Sequence, residues 1–233
     1  HYQPTSMFSL RPALSTASGA QSLLVPTPFA VKMALVNAAF QLASLERVQA
    51  WWPTIRDLSV AYLLPDAVVV NKTFIKIQRR TDLSKQKGVD KDQYVNDKIN
   101  DGRWPFQPTI AYREFVLFDG MLGIALEHTD HSDIPFDQLL SHIHYLGKRG
   151  SFMQLQALPH ICEELDSAWV NVTEPLTTFP ARGTLQVLDD CGSALTWAHV
   201  DVYSGKSIKL NADQRVLRSI VLPYQQRRSS YRY

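Results

Sequence analysis

The chain has 233 residues, 45% of them hydrophobic and 20% charged, which supplies one sizeable core and excludes a disordered or low-complexity polymer. Its formal net charge of +2 is too small to identify partners, so only the distribution of charge along the chain carries information. The two cysteines, Cys162 and Cys191, fit neither a zinc spacing nor a disulfide framework, and no run approaches the roughly 20 apolar residues that cross a bilayer; a reduced cytoplasmic setting away from membranes is expected.

The chain begins at His1, with no initiator methionine or signal-peptide pattern, which reads as a trimmed start. Ser6 to Leu10 is the first strand candidate, and the Ser-, Thr-, Gly- and Ala-rich stretch from Arg11 to Ser22 reads as a surface loop. Thr27 and Pro28 form a helix start: a capping hydroxyl, then a residue whose missing N–H costs nothing at the first helical position. Phe29, Met33, Val36, Phe40 and Ala43 share one helical face, and the helix is expected to end before Trp51, Trp52 and Pro53, with the tryptophans in packing roles.

From Ala67 to Gln78 the period becomes two. Val69, Asn71, Thr73, Ile75 and Ile77 form one face, expected to be largely buried, and Val70, Lys72, Phe74 and Lys76 form the other. Two readings stand for Phe74: a core residue, as a lone strand phenylalanine most often is, or a ring flanked by lysines that grip a nucleic-acid backbone. Residues 79–107 are polar and charged, beginning with Arg79 and Arg80, and a stretch of that length without a core pattern inside a compact domain reads as a projecting arm. Between Asn71 and Arg113 there are ten Lys or Arg against five Asp.

Ile110–Phe118 and Met121–Glu127 are joined by Asp119-Gly120, the pattern of a β-hairpin. A short helix is expected from Phe136 to Ile143, then a basic loop with two glycines, Tyr145 to Gly150. Strand-like runs follow at Gly183–Leu188, Leu195–Tyr203 and Val216–Leu222, and the segment from Arg215 to Tyr233 holds five Arg and no acid. The order strand, helix, strand, hairpin, helix approximates the β-α-β-β-α-β ferredoxin-like (RRM-like) arrangement, an α+β class. Residues 1–155 are expected to form that core with an insertion at about 79–107, and residues 156–233 a less regular, β-rich extension packed on the same domain.

Three places resemble one family. Arg11-Pro12 with Leu24-Val25-Pro26-Thr27-Pro28, the strand Tyr112-Arg113-Glu114-Phe115-Val116, and the loop Tyr145-Leu146-Gly147-Lys148 are similar, in this order, to motifs of the Cas-five branch of the RAMP superfamily, over roughly residues 1–155. The resemblance implies a type I CRISPR Cascade subunit that caps the 5′ handle of the crRNA without cutting it. It also implies a thumb projecting from a ferredoxin-like core, contacts to the backbone and large subunits, target DNA met only through the complex, and no homo-oligomer. One subtype cuts the repeat RNA with a Lys-His pair, a dipeptide this sequence lacks; repeat-RNA cleavage, with His142 and His144 as its candidates, remains the alternative.

The residues suit a binder of single-stranded RNA. Arg11 and Ser22 bound the early loop, where a guanidinium forks onto phosphate. Lys32 lies one turn into the helix, near the positive end of its dipole. Lys72, Phe74 and Lys76, with Arg79 and Arg80 beyond them, line a strand face; Arg113 belongs to the later strand. Gly147, Lys148 and Arg149 combine backbone access with charge. For Lys32 and for the glycine loop, an ordinary exposed helix residue and a plain turn are the competing readings. The run His128-Thr129-Asp130-His131-Ser132-Asp133 carries metal-ligating residue types, but without a helix to fix them or a distant partner it reads as a solvated turn. No cofactor-binding motif is present.

Overall fold

The computed structural model describes residues 1–15, 21–127, 133–176, 180–210 and 213–227. The chain begins with β1 (Tyr2–Pro4), then two helices, α1 (Pro28–Leu42) and α2 (Leu45–Asp57), and β2 (Ser59–Leu63). A long pair of strands follows, β3 (Ala67–Arg80) and β4 (Phe106–Asp119), with α3 (Lys91–Asn100) between them. Then come β5 (Gly123–Glu127), α4 (Phe136–Ser141), β6 (Met153–Leu155), β7 (Trp169–Asn171), β8 (Thr184–Cys191), α5 (Trp197–Val200) and β9 (Arg215–Leu222). The result is a mixed α/β protein of small antiparallel sheets.

Thr27 caps α1 as its sequence requires, its hydroxyl accepting from the Ala30 N–H at 3.1 Å. The buried side of α1 is the row Val31, Leu35 and Ala39 with Ala34 and Ala38, rather than the expected stripe, whose Phe40 is exposed. The helix stops before Trp51, but a second helix, α2, runs through Trp51, Trp52 and Pro53. Both tryptophans are buried, and the Trp52 indole donates to the Leu195 carbonyl at 3.0 Å.

β1 pairs antiparallel with β6, and β5 pairs with β2, whose other edge takes β7. An isolated antiparallel bridge, Tyr2 to Leu122, sets β1 beside the residue that leads into β5. Neighbours therefore run β6, β1, β5, β2, β7. The expected strand over Ser6–Leu10 reduces to a single bridge between Phe8 and Val116, and β2 carried no clear sequence signal. Asp119-Gly120 does turn the chain, but it does not make a hairpin: β4 pairs with β3 and β5 with β2, so the chain changes sheets there.

β3 and β4 pair without interruption from Ala67–Asp119 to Arg80–Phe106. At about 3.4 Å per residue, 14 paired positions make a ribbon nearly 50 Å long. Neither face of β3 is buried, contrary to the alternation, which measured amphipathicity and not contact. A lone two-stranded ribbon is marginal in water. Its base is anchored by buried Val116 and Phe118. Its far end carries α3, capped by Asp90, with no buried residue, and the Gln107 amide donates to the Tyr94 hydroxyl at 2.9 Å. Residues 79–107, expected as an arm, hold the far end of this ribbon with α3 between its strands.

The later part of the chain shares the main core. Leu188, Leu195, Ile220 and Leu222 are buried in one cluster with Leu35, Trp52 and Tyr62. β8 and β9 form where their strand-like runs lie and pair antiparallel with each other, although α5 stands between them in the chain. The expected strand at Leu195–Tyr203 is instead the short helix α5 followed by a turn, with Val202 and Tyr203 exposed.

Candidate nucleic-acid interface

Residues 16–20 of the early loop lie outside the described residues, but its two ends are tied together. The Leu10 N–H donates to the Ser22 hydroxyl at 3.1 Å, and the Leu23 N–H donates to the Leu10 carbonyl at 2.7 Å. Ser22, buried, also gives its N–H to the Glu114 carboxylate at 3.0 Å. Ser22 therefore ties the loop to β4, and its hydroxyl is engaged with the backbone of Leu10 and Leu23. Arg11 is exposed beside it and makes no ion pair among the described residues.

The glycine loop closes on the same place. Gly147 adopts φ +79°, and a Cβ there would lie 2.7 Å from a Leu10 methyl. Only glycine combines that conformation with that approach. The next residue, Lys148, sets its ammonium 5.3 Å from the centre of the Phe115 ring. Burial, and then the nearby Arg113 charge, hold Lys148 below the ordinary lysine value. Arg113 itself buries an Nε that has no hydrogen-bond partner among the described residues.

Two cavities of 220 and 290 Å³ share Leu10 and Arg11 and form one groove. The larger is bounded by Ser22, Tyr112, Arg113, Glu114 and Lys148; the smaller by Thr27, Phe29, Met33, Tyr145, Gly147, Asp189 and Arg215. Arg11, Ser22, Arg113, Gly147 and Lys148, which are far apart in sequence, are thereby brought together. Arg149 is exposed on the adjoining loop.

Lys32 is not there. It is 2% exposed, and its ammonium sits 2.7 Å from Asp190 Oδ1, while Asp190 Oδ2 accepts from Arg218 Nε at 3.0 Å. Its charge is satisfied inside the protein, so the surface position expected from the helix start is corrected. Lys72 lies near the groove, 3.8 Å from Glu114 Oε1. Phe74, Lys76, Arg79 and Arg80 stand farther out along the ribbon, and Phe74 is 65% exposed, so its core reading does not hold. The Phe74 ring meets Tyr112 on the paired strand at 4.6 Å between centroids.

Arg215 and Asp189 were not singled out from the sequence, and Tyr145 was named only as part of the glycine-loop motif. Arg215 was visible only as the start of a basic tail, residues 228–233 of which lie outside the described residues, and Asp189 only as part of a strand end. His142 sets Nδ1 2.8 Å from the Gln138 carbonyl at the end of α4, and His144 is exposed; neither lines the two cavities. The His128–Asp133 run falls at residues 128–132 outside the described residues. Asp133 itself accepts from Arg47 at 2.8 Å and from the Trp51 indole at 3.1 Å. No group of three or more metal-ligating side chains, and no helix long and apolar enough to cross a membrane, occurs among the described residues.

No family model matches the chain. A curated protein of Archaeoglobus fulgidus, CRISPR-associated protein Cas5, is 24% identical over 216 residues, covering 87% of this chain and 82% of the relative. That likeness covers far more of the chain than the three short motifs that resemble the family, so the chain is similar to a Cas5 protein along most of its length.

Proposed function

We propose that this protein is the non-catalytic subunit of a type I CRISPR Cascade complex that binds and caps the 5′ handle of the crRNA. The observation that carries the reading is the convergence of Arg11, Arg113, Lys148 and the Gly147 turn on one groove. Arg113 and Lys148 are like charges close enough to disfavour one another, and an anion between them relieves that repulsion. Phosphates of a single strand supply such an anion, and exposed Tyr112 offers a ring to an unstacked base.

The strand order β6-β1-β5-β2, with helices after β1 and before β6, suits a ferredoxin-like RAMP core. On this reading the β3–β4 ribbon is the thumb, and its exposed Phe74, Lys76, Arg79 and Arg80 face the backbone subunit and the kinked RNA. The large subunit docks beside the body, and target DNA is met only through the assembled complex. Residues 156–233 act as an extension of the same domain. Repeat-RNA cleavage, with His142 and His144 as its candidates, is the alternative reading.

The test is fluorescence anisotropy with labelled 5′-handle RNA and a scrambled control across a salt series. Tight, salt-sensitive binding, lost on charge reversal at Arg11 or Lys148, is expected; equal affinity for the scramble removes the handle assignment. Incubating repeat RNA with the protein in EDTA addresses catalysis, and a discrete cut abolished by His144→Ala would replace the capping role with an endonuclease.

A further inference from the structure

The smaller cavity is lined by Leu10, Phe29 and Met33, and β9 contributes Arg215 to it. The Arg215 guanidinium lies 4.3 Å from the centre of the Phe29 ring, and its Nε donates to Asp189 Oδ2 at 2.7 Å. The Asp189 side chain is 3% exposed and that of Arg215 33%. The ion pair and the ring fix the guanidinium in orientation, and the carboxylate offsets its charge.

A guanidinium intended for a phosphate works best with its charge unopposed and its fork open. Arg215 has one edge committed to a carboxylate and sits over apolar surface. What remains is a planar, weakly hydrated group beside a cavity of 220 Å³, smaller than the roughly 300 Å³ at which pockets for drug-sized ligands begin. We propose that Arg215, held by Asp189 and Phe29, is a stacking platform for one unstacked base of a single-stranded RNA, so that the C-terminal strands β8 and β9 form part of the binding groove. Unstacked RNA bases stack on arginine planes as they do on aromatic rings. Arg11, on the shared rim and without an ion pair among the described residues, takes the adjoining phosphate. This assignment rests on the RNA-binding reading above and adds to it a residue and a ligand moiety.

The test uses the full chain, fluorescein-labelled handle RNA, and a series of the same RNA with one abasic site at each position. Arg215→Lys keeps the charge and removes the plane. It is expected to weaken binding of intact RNA by about 5- to 150-fold, the scale of one stacked base. The abasic position that costs the wild type most should cost this variant nothing further. Phe29→Leu, which keeps an apolar side chain, should move affinity in the same direction by a smaller factor, and it carries the test if thermal melting shows Arg215→Lys unfolded. If Arg11→Ala weakens binding while Arg215→Lys and Phe29→Leu bind as wild type, the platform is refuted and the groove stands. If none of the three changes affinity, both fail.

Discussion

Replacing Lys32 with methionine keeps the buried aliphatic stem and deletes the ammonium that sits 2.7 Å from Asp190. Removing one member of a buried ion pair costs about 3–5 kcal/mol, because the partner charge is left uncompensated. Asp190 keeps two other donors, Arg218 Nε at 3.0 Å and the Cys191 N–H at 2.7 Å, so the loss should fall near the lower bound, about 3 kcal/mol. For a chain of this size that corresponds to a fall in Tm of about 6–12 °C. Urea denaturation of the wild type, Lys32→Met, Asp190→Asn and the double variant measures it. The double variant should be more stable than Asp190→Asn alone, since that single change strands the lysine. RNA affinity of Lys32→Met at a temperature where it is folded should equal that of the wild type. A loss below about 1 kcal/mol, or additive effects in the cycle, would refute the assignment of Lys32 as an internal ion-pair partner.

Gly147→Ala places a Cβ 2.7 Å from Leu10 in a left-handed backbone, and should cost about 1–3 kcal/mol in denaturant titration while lowering RNA affinity through the displaced Leu10–Arg11 loop. Arg11→Ala should reduce the slope of log K against log salt by about 0.7, the value for one phosphate contact on a single strand; an unchanged slope removes Arg11 from the interface. Burial pushes the Cys191 thiol up to about 12, whereas Cys162 is exposed, so a thiol reagent near pH 8 should modify one cysteine per native chain quickly and the second only on unfolding. Because the folded state retains a proton that the unfolded state releases near 9, Cys191→Ala should flatten a decline of stability with rising pH between about 9 and 12.

Local chemistry made some of this protein readable in advance. The Thr27-Pro28 start of α1, the length of β3 and the runs of β8 and β9 depend on neighbouring residues, and they form where their patterns lie. The same is true of the Arg113 strand and the Gly147 turn as separate pieces. Alternation along β3 identified a strand but not its surroundings, since an amphipathic pattern does not say whether anything packs on either face. The Asp-Gly turn fixed a reversal of the chain, while the partners of the two strands were set by β2 and β3, which compete for them at long range.

Charge was the least readable property. Lys32 lies in an apolar helix, and nothing near it announces Asp190, 158 residues away, which takes its proton-bearing end into the core. Arg215 looks in sequence like the first of several tail arginines, and becomes part of the groove only because Asp189 and Phe29 hold it there. Sequence alone determined the Thr27-Pro28 helix start, the strands β3, β8 and β9 and the Asp119-Gly120 reversal, because those preferences arise from hydrogen bonds and sterics within a few residues. Which charges line the groove and which neutralise one another was decided by the tertiary fold, because an ion pair depends on distance in space and on the water that packing removes.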